Sequence, residues 1–133
     1  MSRGIIYAGN SVAQATVAAG TTIQFTNIVR RFGPNLDISG GNVVATGSGY
    51  YEGTVNLNVE GTEAGTGEFT VYANGTAIPY ATASLITTTT SMVNVVIPFV
   101  IRNTCNCMPT TITVVVSGVS ANITNAGIIV EKE

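Results

Sequence analysis

"SGYYEGTVNLNVEG", residues 48–61, is the stretch on which the fold turns. Thr54, Asn56 and Asn58 point one way, and Val55, Leu57 and Val59 point the other. A period of two marks a half-buried strand, because successive side chains on extended backbone leave from opposite faces. Val55, Leu57 and Val59 are expected to fill the core of a sandwich. On the opposite face, Tyr51 followed by Thr54 and Asn56 gives a neutral surface with many hydrogen-bonding groups. Neighbours on a strand face opposite sides, so one of Tyr50 and Tyr51 is expected in the core and the other at a subunit contact. A tyrosine can bury its ring at an interface and still satisfy its hydroxyl. Tyr50, Tyr51, Thr54 and Asn56 are therefore the expected interface residues.

Outward from this strand the same rhythm continues. β-Branched residues dominate, helix formers are scarce, and Gly, Asn-Gly or Pro punctuates the chain at the spacing of an all-β sandwich or barrel. Ten strands are predicted, over residues 4–8, 12–18, 22–30, 42–47, 50–60, 68–73, 77–88, 92–102, 110–117 and 121–131. Asn74–Gly75 suits a tight hairpin, since both residues tolerate positive φ. "SGG" at 39–41 and "GSG" at 47–49 supply similar turns. "EGTEAGTGE", residues 60–68, reads as a longer exposed loop carrying Glu60, Glu63 and Glu68. "NTCNCMP", residues 103–109, reads as a second loop, with Asn103 and Asn106 as exposed contacts. Pro98 interrupts a strand-like run, which points to an edge or a bulge. No composition shift or fixed-period repeat divides the chain, so residues 1–133 are expected to form a single domain.

Composition narrows the function. Charged residues are 9 % of the 133, against about 25 % in ordinary soluble domains. A surface so poor in charge implies that partners bury part of it. A formal net charge of −2 with five basic residues lacks the cationic footprint nucleic acid requires. The apolar runs fall well short of about 20 residues, so membrane insertion is not expected. "MSRGIIYAGN" does not read as a secretion signal, which points to synthesis in a cytoplasm.

Catalytic residues are hard to find. The chain has no histidine, which removes Ser-His-Asp and Cys-His arrangements. Glu60, Glu63 and Glu68 surround one glycine-rich segment, without the rigid opposed pair a glycosidase needs or a regular calcium-ligand spacing. No phosphate-binding loop occurs, and the sole lysine is Lys132. Cys105 and Cys107 read first as free thiols in a reducing compartment, with interchain disulfides as the second reading; two sulfurs alone do not complete a metal site. The expectation is no enzyme, no cofactor and no metal.

Residues 20–60 resemble the globular head of the first complement component and its relatives in the tumour necrosis factor superfamily. The resemblance rests on Ile23 and Phe25, Leu36–Asp37, Gly40 or Gly41, Val43–Val44, and Gly49–Tyr50–Tyr51. "EFTVYANGTAIP" is similar to that family's strand ending in Asn-Gly, and "ANITNAGIIVEKE" to its closing strand, with Ala126 standing where the family usually has Phe. The resemblance implies a ten-stranded jelly-roll β-sandwich assembling as a homotrimer, of a kind found on spore surfaces and virions. It makes the chain itself the first expected partner and another virion protein a second, as anchor. Displayed on a phage particle as head decoration, head fibre or appendage, the trimer would be a structural module made in the host cytoplasm. The rival readings are a receptor- or glycan-binding adhesion tip, meeting host surface glycan through its loops, and a bacterial spore or cell-surface ornament.

Overall fold

The computed structural model describes residues 4–10, 14–17, 20–88, 92–104 and 108–133, which carry eleven strands. They are β1 (Ile5–Gly9), β2 (Gln14–Val17), β3 (Asn27–Phe32), β4 (Leu36–Ser39), β5 (Asn42–Ala45), β6 (Gly49–Gly61), β7 (Gly65–Ala73), β8 (Thr76–Thr87), β9 (Met92–Asn103), β10 (Thr110–Ser117) and β11 (Ala121–Lys132). One sheet has the order β3-β1-β11-β6-β9, with β2 also paired to β11. The other has the order β4-β5-β10-β7-β8. Every pairing is antiparallel. Among the described residues no helix is long and apolar enough to cross a membrane.

The alternation read from residues 54–59 is realised. Val55, Leu57 and Val59 are buried with Ile128 and Val130 of β11, Ile97 of β9, and Phe69 and Val114 from the facing sheet. Strand β6 lies between β11 and β9 along nearly its whole length and is the spine of the six-stranded sheet. Asn74 and Gly75 join β7 to β8 with φ of 50° and 81°, as expected of a two-residue hairpin. The Asn74 Oδ1 also accepts the Thr111 amide at 2.8 Å, tying that turn to β10.

Three strand assignments differ from expectation. Residues 22–30 are not one strand: Ile23 and Phe25 are buried, with amides donating to Val114 and Gly41 carbonyls, and the ladder of β3 begins only at Asn27. Leu36–Ser39, expected within a loop, is strand β4, because Leu36 drops into the core and the Gly40–Gly41 turn pairs it with β5. Segment 60–68 is not a long loop either. Strands β6 and β7 run through Gly61 and from Gly65, leaving only residues 62–64 between them. Pro98 stands on β9, which pairs with β6 alone and is an edge strand, where its missing donor is harmless.

Candidate subunit interface

The outer face of the six-stranded sheet can be followed row by row through the register. Arg30, Tyr7, Ile129, Thr54 and Pro98 lie side by side across β3, β1, β11, β6 and β9. One step towards one end are Phe32, Ile5, Glu131, Glu52 and Val100, followed by Tyr50 beside Arg102. One step the other way are Asn27, Gly9, Gly127, Asn56 and Val96, then Asn125, Asn58 and Asn94. The face is therefore graded. Its charges sit at one end and at the β3 edge, its middle is apolar, and its far end is amide.

Tyr7, Tyr50, Val96 and Val100 are each about half exposed or more on this face. Large apolar side chains grouped on one sheet face mark an interaction surface. The amides are already ordered: Asn94 Nδ2 lies 2.9 Å from Asn56 Oδ1 and 2.8 Å from Asn58 Oδ1, and Thr124 donates to the Asn58 carbonyl at 3.1 Å. Prearranged polar groups lose little freedom on docking, which favours association. At the other end the Arg102 guanidinium stacks 5.5 Å from the centroid of the Tyr50 ring.

Two hollows indent the face. An open groove of about 640 Å³ lies between the β8 and β9 edge and β6, with Pro79, Tyr80, Pro98 and Phe99 on one wall and Glu52 and Glu131 opposite. A more closed hollow of about 350 Å³ is centred on Gly127 and walled by Tyr7, Thr54 and Asn56.

Thr54 and Asn56 stand on this surface, and so does Tyr50. Tyr51 does not. It is fully buried, because odd positions of β6 share the core face with Val55, and its placement beside Thr54 and Asn56 is corrected accordingly. Its hydroxyl donates to the Gly47 carbonyl at 2.6 Å and accepts the Gly47 amide at 3.1 Å. Burial pushes its pKa above the usual 10.0, and the Gly47 contact opposes this only in part.

Asn103 is likewise not an exposed loop residue. It is buried at the end of β9, its amide donating to the same Gly47 carbonyl at 3.1 Å. Glu60 lies on β6, accepting from Asn122 at 3.0 Å, and Glu68 lies on β7, accepting from Ser84 at 3.3 Å. Neither is a loop contact. Glu63 is in the turn, and its carboxylate accepts the Ser120 amide at 3.0 Å. Asn106, Cys105 and Cys107 lie outside the described residues. Arg31 bonds within its own chain, to the Leu36 carbonyl at 2.7 Å and to Asp37 at 3.6 Å, while Arg30 faces outward beside Tyr7. Among the described residues no three metal-ligating side chains gather.

Sequence reasoning missed Tyr7, Val96, Val100, Ile129 and Tyr80. For Val96 and Val100 the signal was present, since even positions of "MVNVVIPFVIR" face outward with Asn94 and Arg102. For Tyr80 it was not, because a bulge places that residue.

Two antiparallel sheets closed over one apolar core, with β6 paired between the last strand and β9, define a jelly-roll sandwich of the tumour necrosis factor type. Solved structures agree. Murine APRIL superposes with a TM-score of 0.71 at 14 % identity, covering 99 % of this chain and 100 % of that one. The Eiger TNF of S. frugiperda gives 0.75 at 9 % identity, covering 98 % and 91 %. PRD1 vertex protein P5 gives 0.61 at 15 %, covering 98 % and 96 %. Identities this low establish the fold and nothing finer. No protein-family model matches the chain, and no curated protein matches it in sequence.

Proposed function

We propose that the chain is a non-enzymatic structural module, a homotrimer of single jelly-roll domains displayed on a virus particle as a head decoration, head fibre or related appendage. The observation that carries the reading is the outer face of the six-stranded sheet, whose middle offers Tyr7, Val96 and Pro98 to solvent around the half-buried Ile129 without an intervening charge. A protein with only 9 % charged residues stays soluble if copies of itself cover that face. The likeness to a vertex protein supports a place on a particle, and the likeness to APRIL and Eiger supports the shape of the building block. The absence of histidine from the sequence supports a role without catalysis.

Size-exclusion chromatography with light scattering tests the assembly: a mass of three copies at micromolar concentration is expected, and a stable monomer overturns it. Gene neighbourhood tests the location. Portal, capsid and tail genes beside the coding sequence are expected; sporulation or cell-wall genes there would move the trimer to a bacterial surface.

A further inference from the structure

Strand β8 carries an irregularity. Across the β7–β8 ladder Thr70 pairs with Thr82 and Tyr72 with Ala77, so Val71 alone stands opposite Ile78, Pro79, Tyr80 and Ala81. Ile78 and Ala81 are buried and pin the two feet of this bulge in the core. Pro79 and Tyr80 are thrown outward. Tyr80 is 101 % exposed and adopts φ of +63°, a left-handed conformation that residues bearing a side chain rarely take. A bulge on an edge strand that re-aims one side chain, combined with backbone strain at that side chain, is a feature that function retains and stability alone would not.

We infer that Tyr80 is a knob that each copy inserts into the hollow centred on Gly127 of the next copy. The inference rests on the assembly proposed above and deepens it by naming the contact. The hollow has the matching chemistry. Gly127 forms a floor without a side chain, with Gly9 directly beside it on β1. The Tyr7 ring forms one wall, against which a second ring can pack edge to face. Thr54, Asn56 and Asn58 line the rim with donors and acceptors for a phenol hydroxyl. All the lining residues are uncharged, as is the knob, so neither side strips water from an ion.

A second copy of this chain is the occupant because the chain itself supplies both halves, and the Tyr80 ring is left fully exposed by its own protomer. Tyr80 stands on the edge strand of the five-stranded sheet and overhangs the open groove, whereas the hollow lies further in on the same outer face, the two sharing Thr54 and Ile129 as a border. Knob and hollow are made of different residues, so a knob-in-hollow contact is heterologous, and such a contact closes into a ring when its rotation allows.

The test uses the full chain, sedimentation analysis and two single variants. Tyr80→Asn removes the ring while keeping a residue that tolerates positive φ. Gly127→Val fills the hollow; its Cβ meets Tyr7 Cε1 at 3.8 Å, an ordinary contact, and a melting curve near that of the parent checks that its two methyls leave the protomer folded. Each variant is expected to raise the dissociation constant of the assembly by about 30-fold, the loss typical of a central aromatic anchor. The double variant is expected to be no weaker than the worse single one, since both delete the same contact. A benzophenone amino acid introduced at Tyr80 adds a readout independent of stability: on irradiation of mixed light and heavy copies it should label the peptide bearing Asn56 or that bearing Gly127 in a different copy. A trimer that Tyr80→Asn leaves as tight as the parent, or a label landing elsewhere, overturns the knob while leaving the assembly standing. A parent chain that sediments as a monomer overturns both.

Discussion

At the scale of single residues, the tyrosine pair shows how much a period of two can decide. Counting from Val55 places Tyr51 inward and Tyr50 outward, and the structure agrees: Tyr51 is fully buried while Tyr50 lies under Arg102 on the open face. Grouping Tyr51 with Thr54 and Asn56 broke that parity, although the correct face was legible in the sequence. What no local pattern could supply is the polar partner. The Tyr51 hydroxyl and the Asn103 amide meet on one carbonyl, that of Gly47, and Asn103 lies 56 positions away from it. Tyr51→Phe therefore leaves the Gly47 amide without its acceptor inside the core, and is expected to destabilise the fold by about 1–3 kcal/mol, read from urea unfolding at pH 7. The same hydroxyl carries a pH signature. Its folded pKa is raised above 10.0, so its neutral form contributes fully below pH 10 and that contribution drains away as pH climbs through the folded value. The parent protein should lose stability as pH rises above 10, and Tyr51→Phe should lose less. An equal loss in both would mean that this phenol does not drive the alkaline response.

At the scale of elements, glycines that read as turns prove to be places of close approach. Gly61, Gly65 and Gly67 suggested a long loop; instead β6 and β7 run almost to their hairpin, with Gly67 buried beneath Val119. A glycine signals a missing side chain, and sequence alone does not say whether backbone freedom or space is the reason. The short strand β4 went unread for a related reason: four residues flanked by Pro34 and two glycines carry too little periodicity to outweigh the turn signals. Gly53, in the middle of β6, makes the point testable. A Cβ there would lie 2.6 Å from Phe99 Cζ and 2.7 Å from the Ile129 carbonyl, and the carbonyl belongs to a paired strand that cannot retreat. Gly53→Ala is expected to cost about 1–3 kcal/mol by overpacking and to lower Tm by several degrees. Gly127→Ala, on the adjacent strand, meets nothing nearer than 3.8 Å and should leave Tm within about two degrees of the parent. Calorimetry of the two side by side checks the contrast, and equal melting points would show that β6 can yield at Gly53.

At the scale of the whole molecule, the chain exposes 6684 Å². A compact monomer of 13.7 kDa exposes roughly 6,600 Å² by the usual surface scaling. The protomer thus closes its core completely, and its exposed valines and tyrosines are not leakage from a loose fold. That separates folding from assembly. Val96 is half exposed in the middle of the proposed interface, on the outward side of β9, so Val96→Lys should fold with a Tm near that of the parent. Burying an unpaired ammonium between copies is costly, however, and the variant should remain monomeric where the parent is assembled. Salt provides the complementary measurement. Charges on this face are confined to one end and to the β3 edge, in Tyr50's neighbour Arg102, in Glu52 and Glu131, and in Arg30, so screening has little to act on in the contact itself. The dissociation constant of the parent is expected to change less than about threefold between 50 mM and 1 M sodium chloride, because an interface held by apolar area is not weakened by ions. Sulfate at the same ionic strength should tighten it, since excluded salts favour burial of apolar surface. A dissociation constant that instead rises by orders of magnitude with sodium chloride would place the contact at the charged end, around Arg102 and Glu131, and would move the interface off the middle of the sheet.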